Sequence, residues 1–197
     1  LPNRHLAAAF IRTNTCKILI DCGEGTQIAC AEANVSITGI TLICFTHLHA
    51  DHVLGLGGIL ATMNACERTE PLFIIGPAGI KDFFADQLHI IKNLKFDVRC
   101  FELVDRYHEF QFEDCKLSAF KVKHGVATYG YTVDMIQAPT FDVEKAESYN
   151  IPRQFWEAIA KSIDFEFNNQ IITREEFLGK GRRHLRVSYV TDTAYTS

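Results

Sequence analysis

His47, His49, Asp51 and His52 stand within six consecutive positions of "FTHLHADHVLGLGG", residues 45–58. Imidazole nitrogens and carboxylate oxygens are the donors that zinc accepts in catalytic sites, so the chemistry this spacing serves is metal coordination. In an extended segment, positions 47, 49 and 51 project to one side, because side chains alternate with a period of two. His52 then points elsewhere, and one short loop can present ligands to two neighbouring points. Glycines at 55, 57 and 58 let the backbone turn tightly beside the ions and begin a helix. Two ions need more ligands than this loop supplies. The candidates stand at other strand ends: His124 after "LSAFKVK" and Asp192 after "RVSYVT". Asp21, after "KILI", is placed to accept the second ring N–H of a ligand histidine and fix its orientation.

The elements that must position these residues are legible in the apolar pattern. "CKILIDC" (16–22), "ITLICFTH" (40–47) and "LFIIGP" (72–77) read as buried strands flanked by Gly or Thr. A loop and short helix fill 23–39, and "GGILATMNACER" reads as a helix. Residues 79–94 form an amphipathic helix with Ile80, Phe83, Phe84, Leu88 and Ile91 on one stripe. Alternation in "FDVRCFELV", "HEFQFED" and "KLSAFKVKH" predicts strands, with a hairpin turning near Glu113 and Asp114. "TYGYTVDM" (128–135) and "LRVSYVTDT" (185–193) are further strands. Residues 137–184 carry helix-like pieces and many charges but little strand signal, and read as an insertion or arm. The hairpin fits two sheets covered by helices better than a doubly wound sheet.

The composition belongs to a globular domain, 47% apolar and 22% charged over 197 residues. No run approaches the roughly 18–20 apolar residues of a membrane span, and the start lacks a signal-peptide pattern, so a cytoplasmic chain with no membrane partner is expected. Seven scattered cysteines without a close pair suit reduced, mostly buried thiols. A net charge of −4 argues against coating nucleic acid by bulk attraction. A local basic run nevertheless stands at "GKGRRHLR", 179–186.

Taken in order, "LIDCGEGTQ" (19–27), "FTHLHADHVLGLGG", "VKHGVATYGY" (122–131) and "YVTDT" (189–193) resemble the metallo-β-lactamase superfamily. Within it they are similar to ribonuclease Z, the transfer-RNA 3′-end processing endonucleases. The HxHxDH element alone marks the superfamily; "GEGTQ" and "HGVATYGY" narrow it. The resemblance implies an α+β fold, a four-layer αββα sandwich with an inserted arm and a two-zinc site on one edge. By motif position, His47, His49 and His124 would hold one zinc, Asp51 and His52 the other, with Asp192 bridging both. It further implies an endoribonuclease that removes the 3′ trailer from precursor tRNA by attack of zinc-activated hydroxide on phosphorus, leaving a 3′-hydroxyl on the tRNA. Asp51 would be the base or orienter of the attacking water. The last ligand of the second zinc is expected beyond Ser197 and a glycine-rich strand before Leu1, making 1–197 a single domain incomplete at both ends. A homodimer is implied by the family.

The family's arm is rich in Gly, Pro and basic residues, whereas 137–184 hold only Pro139 and Pro152 and no Gly-Pro pair. RNA grip is therefore expected from Lys180, Arg182, Arg183 and Arg186 through phosphate contacts. Two other readings keep the same residues: hydrolysis of a small phosphodiester, sulfate or thioester, and a silent metal-containing RNA-binding module.

Overall fold

The structure, a computed structural model, describes residues 5–135, 140–161, 165–167, 170–179 and 185–194. The chain divides into two compact bodies, residues 1–135 with 186–197, and residues 136–185.

In the first body a five-stranded sheet has the order β1 (Ala9–Arg12), β2 (Lys17–Ile20), β3 (Leu42–Cys44), β4 (Leu72–Pro77) and β5 (Val98–Leu103). The β1–β2 pair is antiparallel and the remaining pairs are parallel. Parallel strands need crossovers, and the chain supplies α1 (Thr26–Glu32), α2 (Ala50–Val53), α3 (Leu56–Ala65) and α4 (Ile80–Ile90) between them. A second, four-stranded sheet has the order β11 (Leu185–Tyr189), β8 (Thr128–Met135), β7 (Cys115–Val122) and β6 (Tyr107–Gln111). Its β6–β7 and β7–β8 pairs are antiparallel.

Alternation along the central strands explains their uninterrupted apolar character. Leu19 and Ile43 join Val53, Leu56, Ile59, Leu60, Met63 and Ile80 in a core between the first sheet and its helices. Ile18, Ile20, Leu42 and Cys44 face the other way, against Leu117, Ala119, Tyr129, Tyr131 and Val133 of the second sheet. Strands buried on both faces cannot alternate with polar residues, which is why they read as continuous runs. At roughly 25 cal/mol per Å² of apolar surface, each fully buried Ile or Leu there contributes about 1.5–3 kcal/mol before its ordering cost. Helices, first sheet and second sheet thus supply three of the four layers that the αββα expectation names.

Several boundaries shift. The sequence missed β1, because "AAAFIR" has no polar alternation to mark it. The helix expected over 79–94 stops at Ile90, and Leu88 stays partly exposed while Phe83, Phe84 and Ile91 pack on the core. The hairpin turn, by contrast, falls at 112–114, as expected near Glu113 and Asp114. The second body holds more order than its charge-rich sequence suggested: α5 (Val143–Ser148), α6 (Trp156–Ala160) and an antiparallel pair, β9 (Phe165–Phe167) with β10 (Gln170–Ile172). Asp142 caps α5 by accepting the Lys145 N–H at 2.9 Å. Ala146, Ile151, Ile159, Ile172 and Phe177 make a small separate core.

Candidate metal centre

Segments that follow four strands of the first body, β2, β3, β7 and β11, converge at one edge. β3 runs out at Cys44 and the chain bends at Thr46, so Phe45 and Leu48 both pack into the helix-side core while His47 and His49 reach the donor cluster at the edge. Period two ends there. α2 begins at Ala50, and this helical turn carries Asp51 away from the line of His47 and His49 while bringing the buried His52 back toward them. The extended reading of all of 47–51 is therefore corrected at Ala50. Tyr131, fully buried in the second sheet, donates its hydroxyl to the Phe45 carbonyl at 2.7 Å and pins the approach to the loop. Burial pushes that phenol well above its ordinary pKa, so it stays a donor.

The loop is docked on the segment after β2. The Cys22 N–H donates to the His52 carbonyl at 2.7 Å, and the Gly55 N–H to the Cys22 carbonyl at 2.8 Å. Gly55 makes this approach possible: a Cβ there would stand 2.8 Å from the Cys22 oxygen and collide with that of Gly23. Asp21 (φ 60°) and Asp192 (φ 48°) both occupy the left-handed region, which few non-glycine residues adopt. Such outliers gather at functional sites, where surrounding contacts hold them.

Two groups of donors share His47. The ligand atoms of His47, His49 and His124 lie within 4.8 Å of one another, and so do those of His47, His52 and Asp192. Zinc bonds of about 2.0–2.1 Å in a tetrahedron separate neighbouring ligand atoms by roughly 3.3–3.4 Å, so both groups are of the right size. His47 Nε2 stands 3.0 Å from His49 Nδ1 and 3.5 Å from Asp192 Oδ2. His52 Nδ1 donates to Asp21 Oδ2 at 2.8 Å, and Thr46 donates its N–H to Asp21 Oδ1 at 2.8 Å. With its proton held on Nδ1, neutral His52 presents an Nε2 lone pair to Asp192 Oδ2 only 3.0 Å away. Two acceptors face each other at that distance only if a proton or a cation lies between them. The donor set therefore fits a metal ion, with Asp21 setting the ring tautomer.

Electrostatics at the two imidazoles differ. Burial, then the neighbouring His52 and His49, lowers the His47 pKa, which favours the neutral ligand form. For His52 burial also acts downward, but the Asp21 hydrogen bond and the charges of Asp21, Asp51 and Asp192 outweigh it and raise the pKa. Buried imidazole against three carboxylates is a site prepared for positive charge.

Asp51 is the expected residue that these groups leave out. Its side chain is 59% exposed, with Oδ2 3.7 Å from His52 Nε2. It lines an open cavity of about 490 Å³ together with His5, Leu6, His52, Tyr189 and Asp192. Arg186 is engaged elsewhere: its guanidinium pairs with Asp134, Nη2 to Oδ2 at 3.2 Å. Lys180, Arg182 and Arg183 lie outside the described residues. Thr46 and Tyr131 escaped the sequence reading, although a hydroxyl immediately before the first histidine of "FTH" was an available signal.

Two packed sheets with this imidazole–carboxylate loop at their strand ends define a metallo-β-lactamase fold. Its likeness to YhfI of Bacillus subtilis (TM-score 0.51, 16% identity, 68% of this chain and 52% of that one) shows the fold. Human tRNase Z, short form, superposes with a TM-score of 0.62 at 29% identity, over 68% of this chain and 58% of that one. Residues 3–175 match the family model described as "Anti-Pycsar protein Apyc1". Among curated relatives, ribonuclease Z of Agathobacter rectalis is 42% identical over 98% of this chain and 64% of its own length. Ribonuclease Z of Alkaliphilus oremlandii is 31% identical over 100% of this chain and 67% of its own. The chain belongs to the ribonuclease Z family and to the family of the Apyc1 model. It spans 64% of the length of the first curated relatives it matches. Among the described residues, no helix is long and apolar enough to cross a membrane.

Proposed function

We propose that this chain carries the metal-binding domain of an endoribonuclease that removes the 3′ trailer from precursor tRNA, acting as a homodimer with two zinc ions per chain. The observation that supports it best is the pair of donor groups sharing His47, in a chain of the ribonuclease Z family. His47, His49 and His124 would hold one ion, and His52 and Asp192 the other, with Asp192 placed toward His47 as well. When bound, a pair of divalent ions makes water acidic enough to deprotonate near neutral pH and compensates charge on a phosphate.

The chain's own residues supply the rest. Asp21 and Thr46 hold the His52 ring in one tautomer, and Tyr131 holds the loop. Asp51, exposed at the rim of its cavity, is placed to orient the attacking water and take its proton. The water oxygen bonds to phosphorus, the bond from phosphorus to the 3′ oxygen breaks, and that oxygen takes a proton. The tRNA leaves with a 3′-hydroxyl and the trailer with a 5′-phosphate.

The test is incubation of a 3′-extended precursor tRNA with the zinc-loaded protein and with Asp51→Ala. A single cut at the end of the mature tRNA, lost in the variant, is the expected result. Hydrolysis of a small chromogenic diester without any cut in the RNA would replace this reading with a small-substrate hydrolase.

A further inference from the structure

A second cavity lies beside His124. It is open, about 830 Å³ in volume, and lies within the first body. His124 forms one wall and Thr193, next to Asp192, another, so the cavity adjoins the metal ligands directly. Arg106, Lys121 and Lys123 line it as well. All three side chains are exposed, and none forms an ion pair among the described residues. This separates them from Arg186, whose charge is already met by Asp134.

Local structure brings the three together. Lys121 lies on β7 and Lys123 just past its end, at alternating positions, and the Lys121 N–H donates to the Arg106 carbonyl at 2.9 Å. The Lys123 carbonyl accepts the Ala194 N–H at 2.7 Å, tying the lysine segment to the loop that carries Asp192. Three exposed cations beside a candidate metal centre, none of them met by a carboxylate among the described residues, offer their charge to an anion. In a chain of net charge −4, such a local concentration of positive charge points to a specific anion.

We propose that this cavity binds backbone phosphates of the RNA substrate on the His124 side of the cleaved bond, with Arg106, Lys121 and Lys123 as the contacts. The assignment rests on the RNA-processing reading above and places substrate grip in the first body.

The experiment measures binding of a precursor tRNA made non-cleavable at the processing site, over a series of salt concentrations. Three phosphate contacts carry a slope of log affinity on log salt of about 2 to 3 in magnitude. The triple variant Arg106→Gln, Lys121→Gln, Lys123→Gln is expected to flatten the slope by that amount, and Lys123→Gln alone by roughly 0.7–0.9. A control triple, Lys17→Gln, Lys92→Gln, Lys95→Gln, changes net charge equally at residues that do not line the cavity and is expected to leave the slope in place. Equal flattening by both triples, or by neither, overturns the assignment while the RNA reading stands. Failure of the unmodified protein to bind the RNA at all overturns both.

Discussion

Two carboxylates stand near opposite ends of β2, and they are built for different work. Asp114 stands by its start, and Asp192, from the loop after β11, by the imidazole that Asp21 holds beyond its end. At its start, Asp114 from the β6–β7 turn accepts bonds from the Thr13 hydroxyl (2.9 Å), the Thr15 hydroxyl (2.6 Å) and the Asn14 and Thr15 N–H groups (2.6 and 3.0 Å). At its end, Asp192 Oδ2 faces imidazole nitrogens, one of which already holds its proton elsewhere. Both places bring potential ligands within 4.8 Å, since Cys16 and Cys115 stand beside Asp114. Proximity alone would make each a metal site. The difference lies in satisfaction: Asp114 meets donors, and burial with neighbouring Cys16 pushes the Cys115 thiol up to about 12. Acceptors that face acceptors at the other end leave a place for a cation.

The sharpest way to break this contrast is His47→Ala, which removes the residue common to both donor groups. The RNA cleavage proposed above should fall on the order of 10³-fold or more, about 4 kcal/mol of transition-state stabilisation. Asp21→Asn should come next. It removes the carboxylate that orients His52, and metal affinity measured by competition with a chelator should drop about 10–100-fold. Asp114→Asn sharpens the contrast from the other side: about 1–2 kcal/mol of unfolding free energy lost in denaturant melts, with metal affinity unchanged.

The smallest effect is on acid stability. Burial acts upward on the Asp114 pKa, but the hydrogen bonds from Thr15, Thr13 and Asn14 prevail and hold it below the ordinary carboxylate value. A folded-state pKa below the unfolded one of about 3.9 stabilises the protein above that pH, and the gain is lost as pH falls through the folded value. Acid titration of metal-free protein should show this component in the parent and not in Asp114→Asn.

Much of the site is legible in sequence because its logic is local. His47, His49 and His52 are set by a few residues of spacing, and Asp21 and Asp192 by their place after apolar runs. Asp51 is harder: two-residue alternation and a helical turn predict different directions for it, and only the structure shows the turn starting at Ala50. Contacts between distant segments are not legible at all. Asp114 reaches Thr13 across 101 residues, and Arg106 meets Lys121 through strand register rather than through motif. The strands were readable where both faces are apolar, and β1 was not, because half-buried "AFIR" carries neither signal.

The strand ends around His47 are built to hold a metal ion, and the Asp114 corner is not. Zinc titration of metal-stripped protein, followed by calorimetry, tests it most directly. Binding is expected to be abolished by His47→Ala and retained in a Cys16→Ser, Cys115→Ser variant. Binding that survives His47→Ala but disappears with the two cysteines would contradict it.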